Sequence, residues 1–268
     1  MTLDIPAAIE DGLTRLPTRV AAILFVAYLV IGVLSTVTAQ TLGAAFTDWL
    51  GSAAPTQPGA GGMPAGGMGP GPAAGGGSPL ALDVGLVVAF VLFLAQVVLA
   101  QAVGVVTIRT FVSDAKQRFP DGVDRRFGWV LLNALVAGIV VDIATFVGAI
   151  FLVIPGIYVA VALYFVQFEV IVEDKGVIDA LSDGWALTAG ERLRVFLLLV
   201  VVLVIGLLGA VPGFLLGLTG VPQIATVAIS VAISAVTGLV TVAIASRAYV
   251  QLKGEDWTPP GSASPFAY

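Results

Sequence analysis

The sequence predicts an all-α, polytopic membrane bundle of about six transmembrane helices, with both termini on the cytoplasmic side. Three observations predict it. Hydrophobic residues make up 58% of the chain and charged residues only 11%, whereas soluble domains carry about 25% charged residues; mean hydropathy is +1.04. The apolar residues gather into runs long enough to cross a hydrocarbon core of ~30 Å at ~1.5 Å per helical residue. All 12 Lys and Arg residues fall in the segments that six spans would place on one side.

The first span is expected at residues 20–38, with Arg15 and Arg19 flanking it. A signal peptide is the rival reading, but its apolar region would run only about 7–15 residues, and further spans follow. Residues 51–79, GSAAPTQPGAGGMPAGGMGPGPAAGGGSP, are uncharged and rich in Gly and Pro. Such a stretch buries too little apolar surface to offset its ordering entropy, so it is expected as a disordered outer loop. Met63 and Met68 within it are two thioethers in a flexible segment, a poor soft-metal site.

The second span is expected at 80–108, followed by a polar loop with an Asp121-Gly122 turn signal. The third span runs over 128–154, where Pro155-Gly156 breaks it, because Pro removes an amide donor and Gly tolerates unusual dihedrals. The fourth runs over 157–172. The fifth covers 195–211, with Pro212 kinking or ending it. Val221-Pro222 opens the sixth, over 222–247 and on toward Gln251, Pro being well suited to a first helical position. Residues 254–268 carry Pro259, Pro260 and Pro265 and read as a flexible tail. The whole chain, 1–268, reads as one integral membrane domain.

Charge orients this threading. The N-terminus, the 109–127 loop, the 173–194 loop and the C-terminus hold every Lys and Arg, and the loops on the other side hold none. By the positive-inside rule the basic side is cytoplasmic, which implies the cytoplasmic membrane. Trp49, Trp129, Trp185 and Trp257 fall at or near the expected interfaces. Asp114, Asp121, Asp124, Glu173, Asp174, Asp179, Asp183 and Glu191 accompany the basic residues, so this face is not polybasic. That argues against nucleic acid as a partner and leaves the lipid bilayer as the expected one.

The chain has no Cys and no His. Disulfides, thiolate and imidazole metal sites, and Cys or His catalysis are excluded together. A carboxylate-only site for magnesium or calcium stays open, but no catalytic, cofactor or metal residue is assigned. The pI near 4.6 reads as the mark of a halophilic source rather than of a substrate.

Residues 153–196 carry a recognisable order. Pro155-Gly156 precedes a span, Glu173 marks its exit, and Ala180-Leu181, Trp185, Leu187-Thr188 and Gly190 lead into the next span. This pattern resembles the membrane domain attached to some glycerophosphodiester phosphodiesterases, and a related set of stand-alone multi-pass proteins of bacteria and archaea. Many relatives have Ser before the Trp; this chain has Gly184. The resemblance implies a helical membrane domain. The phosphodiesterase itself is a separate soluble barrel with no counterpart here, so no catalytic residue is carried over.

Within that stretch, residues 176–187 put Val177, Ile178, Leu181 and Trp185 on one helical face, as expected of a helix lying in the interface. Thr188-x-x-Glu191 has the spacing of a capping box. Residues 176–194 read as a re-entry turn, with partner docking as the sharper alternative. Asp142 lies inside the third span, where a carboxylate costs ~2.5–3.5 kcal/mol on insertion scales and should face protein or water. Gln96 is its nearest candidate partner by depth. Glu169 is expected within reach of the interface, in an i, i+4 acidic pair with Glu173 and with Arg192 and Arg194 as neighbours. Gly209, Gly213 and Gly217, and Ser230, Ser234 and Gly238, have the spacing of close helix contacts. The two Pro-Gly breaks, at 155–156 and 212–213, are a weak hint of duplicated hairpins.

The expected function is a non-enzymatic scaffold or accessory membrane domain. A small transporter or channel would need Asp142, Gln96 and Glu169 to converge on one water-accessible cavity. A lipid-active enzyme would need several acids clustered at one depth.

Overall fold

The computed structural model describes residues 3–53, 79–113, 115–151, 153–254 and 256–260. Most of the expected outer loop and most of the tail, with Met63 and Met68, lie outside the described residues. Among the described residues the structure is helical: α1 (Ile5–Thr14), α2 (Arg19–Ala53), α3 (Leu86–Val112), α4 (Phe127–Phe151), α5 (Val153–Ala162), α6 (Val166–Glu173), α7 (Val177–Leu187), α8 (Arg192–Leu218) and α9 (Gln223–Lys253). Six stretches are long and apolar enough to cross a membrane: α2, α3, α4, α5 with α6, α8 and α9. Their outward surfaces carry the apolar residues, with Val87 78% and Ile154 80% exposed. That is the pattern of helices solvated by hydrocarbon rather than water.

The chain divides into two compact units. The first contains residues 1–28, 101–206 and 236–268. Its core packs Phe165, Ile171, Val130, Leu198, Ile244 and Tyr249, all fully buried or nearly so. α1, a mixed polar stretch in the sequence, is a capped helix. Asp4 accepts a hydrogen bond from Ala7 N at 3.1 Å, a Pro stands in the first turn, and Gly12 lies 3.0–3.2 Å, by the position of an added Cβ, from the backbone of Ala243 and Ile244.

The Pro-Gly break is displaced from its expected place. α4 ends at Phe151 and α5 starts at Val153, so Pro155 stands in the first turn of α5, where a missing N–H leaves no bond unmade. Gly156 serves packing instead: a Cβ there would meet the Ala149 backbone at 2.7–2.8 Å. The fourth span is in turn interrupted between Ala162 and Val166.

The second unit contains residues 29–100 and 207–235. α2 continues well past its expected end at 38, to Ala53, and within it the hydroxyls of Thr36, Thr38 and Thr41 donate to the carbonyls four residues back. α3 starts at Leu86 rather than 80. The preceding segment lies against α2, with Leu80 N donating to Gln40 Oε1 and Leu82 N to Thr41 Oγ1, each at 3.0 Å. Pro212 stands inside α8, which continues to Leu218 instead of ending there. A Cβ on Gly213 would come within 2.5 Å of Ser230 Oγ, so α8 and α9 make a close small-residue contact at that pair, whereas Gly217 has nothing within 4 Å. α2 and α3 enclose an apolar groove of about 770 Å³ lined by Leu42, Phe46, Phe90 and Phe93 among others.

Candidate functional site

Several charged residues of the first unit converge on the stretch around α6 and α7. The interruption at 163–165 is where the arrangement starts. Val166 N bonds to Leu163 O at 3.1 Å, which leaves the Ala162 carbonyl without its helical donor. The Thr188 hydroxyl, fully buried, donates to that carbonyl at 3.0 Å and to Trp185 O at 3.1 Å. α7 can come this close because Gly184 faces Val166; a Cβ there would sit 2.7 Å from Val166 Cγ2 and 3.1 Å from its backbone. Gly190 then reverses the chain at φ +88°, a conformation glycine adopts without strain.

Two expectations change here. Thr188 does not form a capping box with Glu191: it ends α7, and the Glu191 carboxylate accepts from Arg194 at 2.7 Å and Leu3 N at 3.4 Å. The face that α7 turns inward carries Ala180 and Gly184, with Val177 and Leu181 partly buried, while Ile178 is 83% and Trp185 41% exposed. The four apolar residues expected together are divided between inside and outside, because the tight contact with α6 selects the small residues.

Glu169 is the centre of the cluster. Its side chain is fully buried, and its partners are not Arg192 or Arg194. Lys175 Nζ lies 2.5 Å from Oε2, Lys253 Nζ 2.7 Å from Oε1, and the Tyr249 hydroxyl donates to Oε1 at 3.2 Å. Glu173 Oε1 accepts from Trp257 Nε1 at 2.8 Å and lies 3.2 Å from Lys253 Nζ, while Asp183 Oδ2 lies 2.8 Å from Lys175 Nζ. The aromatic residues Phe165, Phe168, Tyr249 and Trp257 pack beside it with ring centroids 5.3–5.9 Å apart. Burial acts to lower the Lys175 pKa, but hydrogen bonds to Asp183 and Glu169 and their negative charge outweigh it and hold the ammonium above its ordinary value. The same lysine, by hydrogen bond and charge, holds Asp183 below the usual carboxylate range.

A second knot joins α3 to the end of α6. Arg109 donates to the carbonyls of Ile171 (2.9 Å), Val123 (2.7 Å) and Arg125 (2.9 Å), and to Asp174 Oδ1 at 2.6 Å. Arg125 Nε lies 2.7 Å from the other Asp174 oxygen. Asp174 adopts φ +54° at the C-cap of α6, which aims its carboxylate at both guanidinium groups. In the sequence Arg109 marks topology alone; nothing local signals that it holds three separated carbonyls.

The remaining sequence candidates do not join this cluster. Asp142 is exposed on α4 and makes no hydrogen bond or ion pair among the described residues. Gln96 bonds to Ser35 through Nε2 and does not serve Asp142. Among the described residues no group of three or more acidic side chains is arranged to hold a metal ion.

A family model for a domain of unknown function, DUF7847, matches residues 3–252. The chain belongs to that family. The match runs from α1 to one residue short of the end of α9, and so takes in both compact units. No curated protein and no solved structure matches the chain significantly.

Proposed function

We propose that this DUF7847 member is a non-enzymatic scaffold or accessory domain of the cytoplasmic membrane, with both termini in the cytoplasm, and a counterpart of the phosphodiesterase-linked membrane domains that residues 153–196 resemble. The observation that carries the reading is how the charged side chains of the first unit are used. Glu169, Glu173, Asp174 and Asp183 each face a Lys or Arg, and those contacts tie α3, α6, α7 and α9 together. Groups satisfied in this way brace a fold and are poorly placed to bind and turn over a substrate. This ion-paired cluster, with Ile178 standing out from α7, suits a surface on which a membrane or cytoplasmic protein docks at 176–194.

Three measurements test the proposal together. A photo-crosslinking residue at Ile178 should capture one reproducible protein in native membranes, and the same residue at Arg118 should not. Cysteines at Gly66 and Thr219 should react with an impermeant reagent in intact cells, and one at Asp121 should not; the reverse pattern sinks the threading. Purified protein in liposomes should pass no protons. A robust flux that Asp142→Asn removes overturns the scaffold reading in favour of a transporter.

A further inference from the structure

We propose that Arg192, held between Trp185 and Tyr158, binds the phosphate of a membrane phospholipid. The guanidinium carbon lies 4.6 Å from the Trp185 ring centroid and 4.8 Å from that of Tyr158, and Nη1 donates to the Tyr158 hydroxyl. Two ring faces fix the plane of the guanidinium. A guanidinium has five N–H donors; here Nε is buried with no acceptor and Nη1 has a neutral one. Arg192 makes no ion pair among the described residues. Its neighbour Glu191 is turned to Arg194 and Leu3 N, and the lysines of the Glu169 cluster have carboxylates of their own. Among the described residues, Arg192 is therefore a preoriented cation lacking an anion.

Its place in the chain says which anion. Before it, α7 exposes Asp179, Ser182 and Asp183 to water. After it, α8 exposes Leu193, Leu197, Leu203 and Leu207 and carries no charge beyond Arg194. Arg192 sits where polar surface gives way to hydrocarbon-facing surface, the depth at which lipid phosphates and interfacial aromatic rings lie. Nε is buried, but Nη2 and the second N–H of Nη1 form one edge of the planar guanidinium, which fits a phosphate diester bidentately. The exposed flanks of Trp185 and Leu193 offer apolar contact to the attached acyl chains. Phosphate binding at Arg192 requires only that the helices are membrane-embedded and is independent of the scaffold reading.

The test uses the full chain in a phosphate-free maltoside detergent, titrated with dihexanoyl phosphatidylglycerol, with dihexanoylglycerol, which lacks phosphate, and with inorganic phosphate. The phospholipid should bind saturably and raise the melting temperature, and Arg192→Gln should weaken it by roughly tenfold or more, the loss of charged hydrogen bonds. Arg118→Gln should leave binding unchanged. Tyr158→Phe keeps the ring and frees Nη1, so it should bind at least as well as the wild type. Trp185→Leu removes one face of the stack on the exposed side of α7, and should weaken binding even if Arg192→Gln fails to fold. Unchanged affinity in Arg192→Gln or Trp185→Leu overturns the proposal. So does equally tight binding of dihexanoylglycerol, which marks a purely apolar site, or of inorganic phosphate, which marks a free-anion site.

Discussion

Glu169 on α6 and Asp142 on α4 are both carboxylates within apolar helices, and the fold treats them in opposite ways. Glu169 is fully buried and receives two ammonium groups and a phenol. Asp142 faces outward and receives nothing from the described residues. By local sequence Asp142 is the more conspicuous of the two, because its neighbours Val140, Val141 and Ile143 are all apolar. The cost of an acid in a span depends on what the fold brings to it, and that comes from elsewhere in the chain: Lys253 and Tyr249 are about eighty residues from Glu169 in sequence, the Tyr249 contact spanning 80.

The comparison can be broken most directly at Glu169. Glu169→Leu leaves Lys175, Lys253 and the Tyr249 hydroxyl facing an apolar group, and removing one partner of a buried pair costs ~3–5 kcal/mol. The low end is expected, near ~3 kcal/mol, because Lys175 keeps Asp183 and Lys253 keeps Glu173. Denaturation in detergent measures it, and a change below ~1 kcal/mol shows the cluster to be dispensable. Tyr249→Phe isolates one contact, a long hydrogen bond to a carboxylate, and should cost about 1 kcal/mol in the same assay.

Asp183 is the intermediate case, an acid with one lysine but open to water. Asp183→Asn should cost only about 0.5 kcal/mol, since solvent screens an exposed pair. Its pH dependence has a definite sign. The folded Asp183 pKa lies below its ordinary 3.8, so its contribution is present above that value and fades as pH falls through the lowered one. Lys175 is raised above 10.5, so its contribution holds below that value and fades as pH climbs through the raised one. The difference in melting temperature between Asp183→Asn and wild type should accordingly be flat across neutral pH and close at the acid extreme; a difference that peaks at low pH contradicts the pairing.

The smallest effect is expected at Asp142. Without Gln96 or any other partner among the described residues, Asp142→Leu should fold as well as Asp142→Asn, both within ~0.5 kcal/mol of wild type in detergent. In nanodiscs Leu should be the more stable of the two, because it removes a polar group from a hydrocarbon-facing position. A strong penalty for Leu alone would mean that Asp142 finds a partner in the bilayer, and would draw the two carboxylates back together.

Residue chemistry and order were enough to determine that this chain is a multi-span helical membrane protein. Hydrocarbon demands long uncharged helices, and six such stretches appear both in the sequence and in the structure. Within residues 153–196, Thr188, Gly190, Glu173 and Trp185 all have definite contacts or conformations. What each of them does was decided by tertiary structure. Thr188 became a cap only because the helix breaks at Ala162, twenty-six residues earlier in the chain. The inward face of α7 was chosen by the close approach of α6, which admits Gly184 and turns Ile178 outward. Periodicity assigns a residue to a face, but which face is buried, and which distant donor meets a buried carboxylate, depend on contacts between segments that no local pattern encodes.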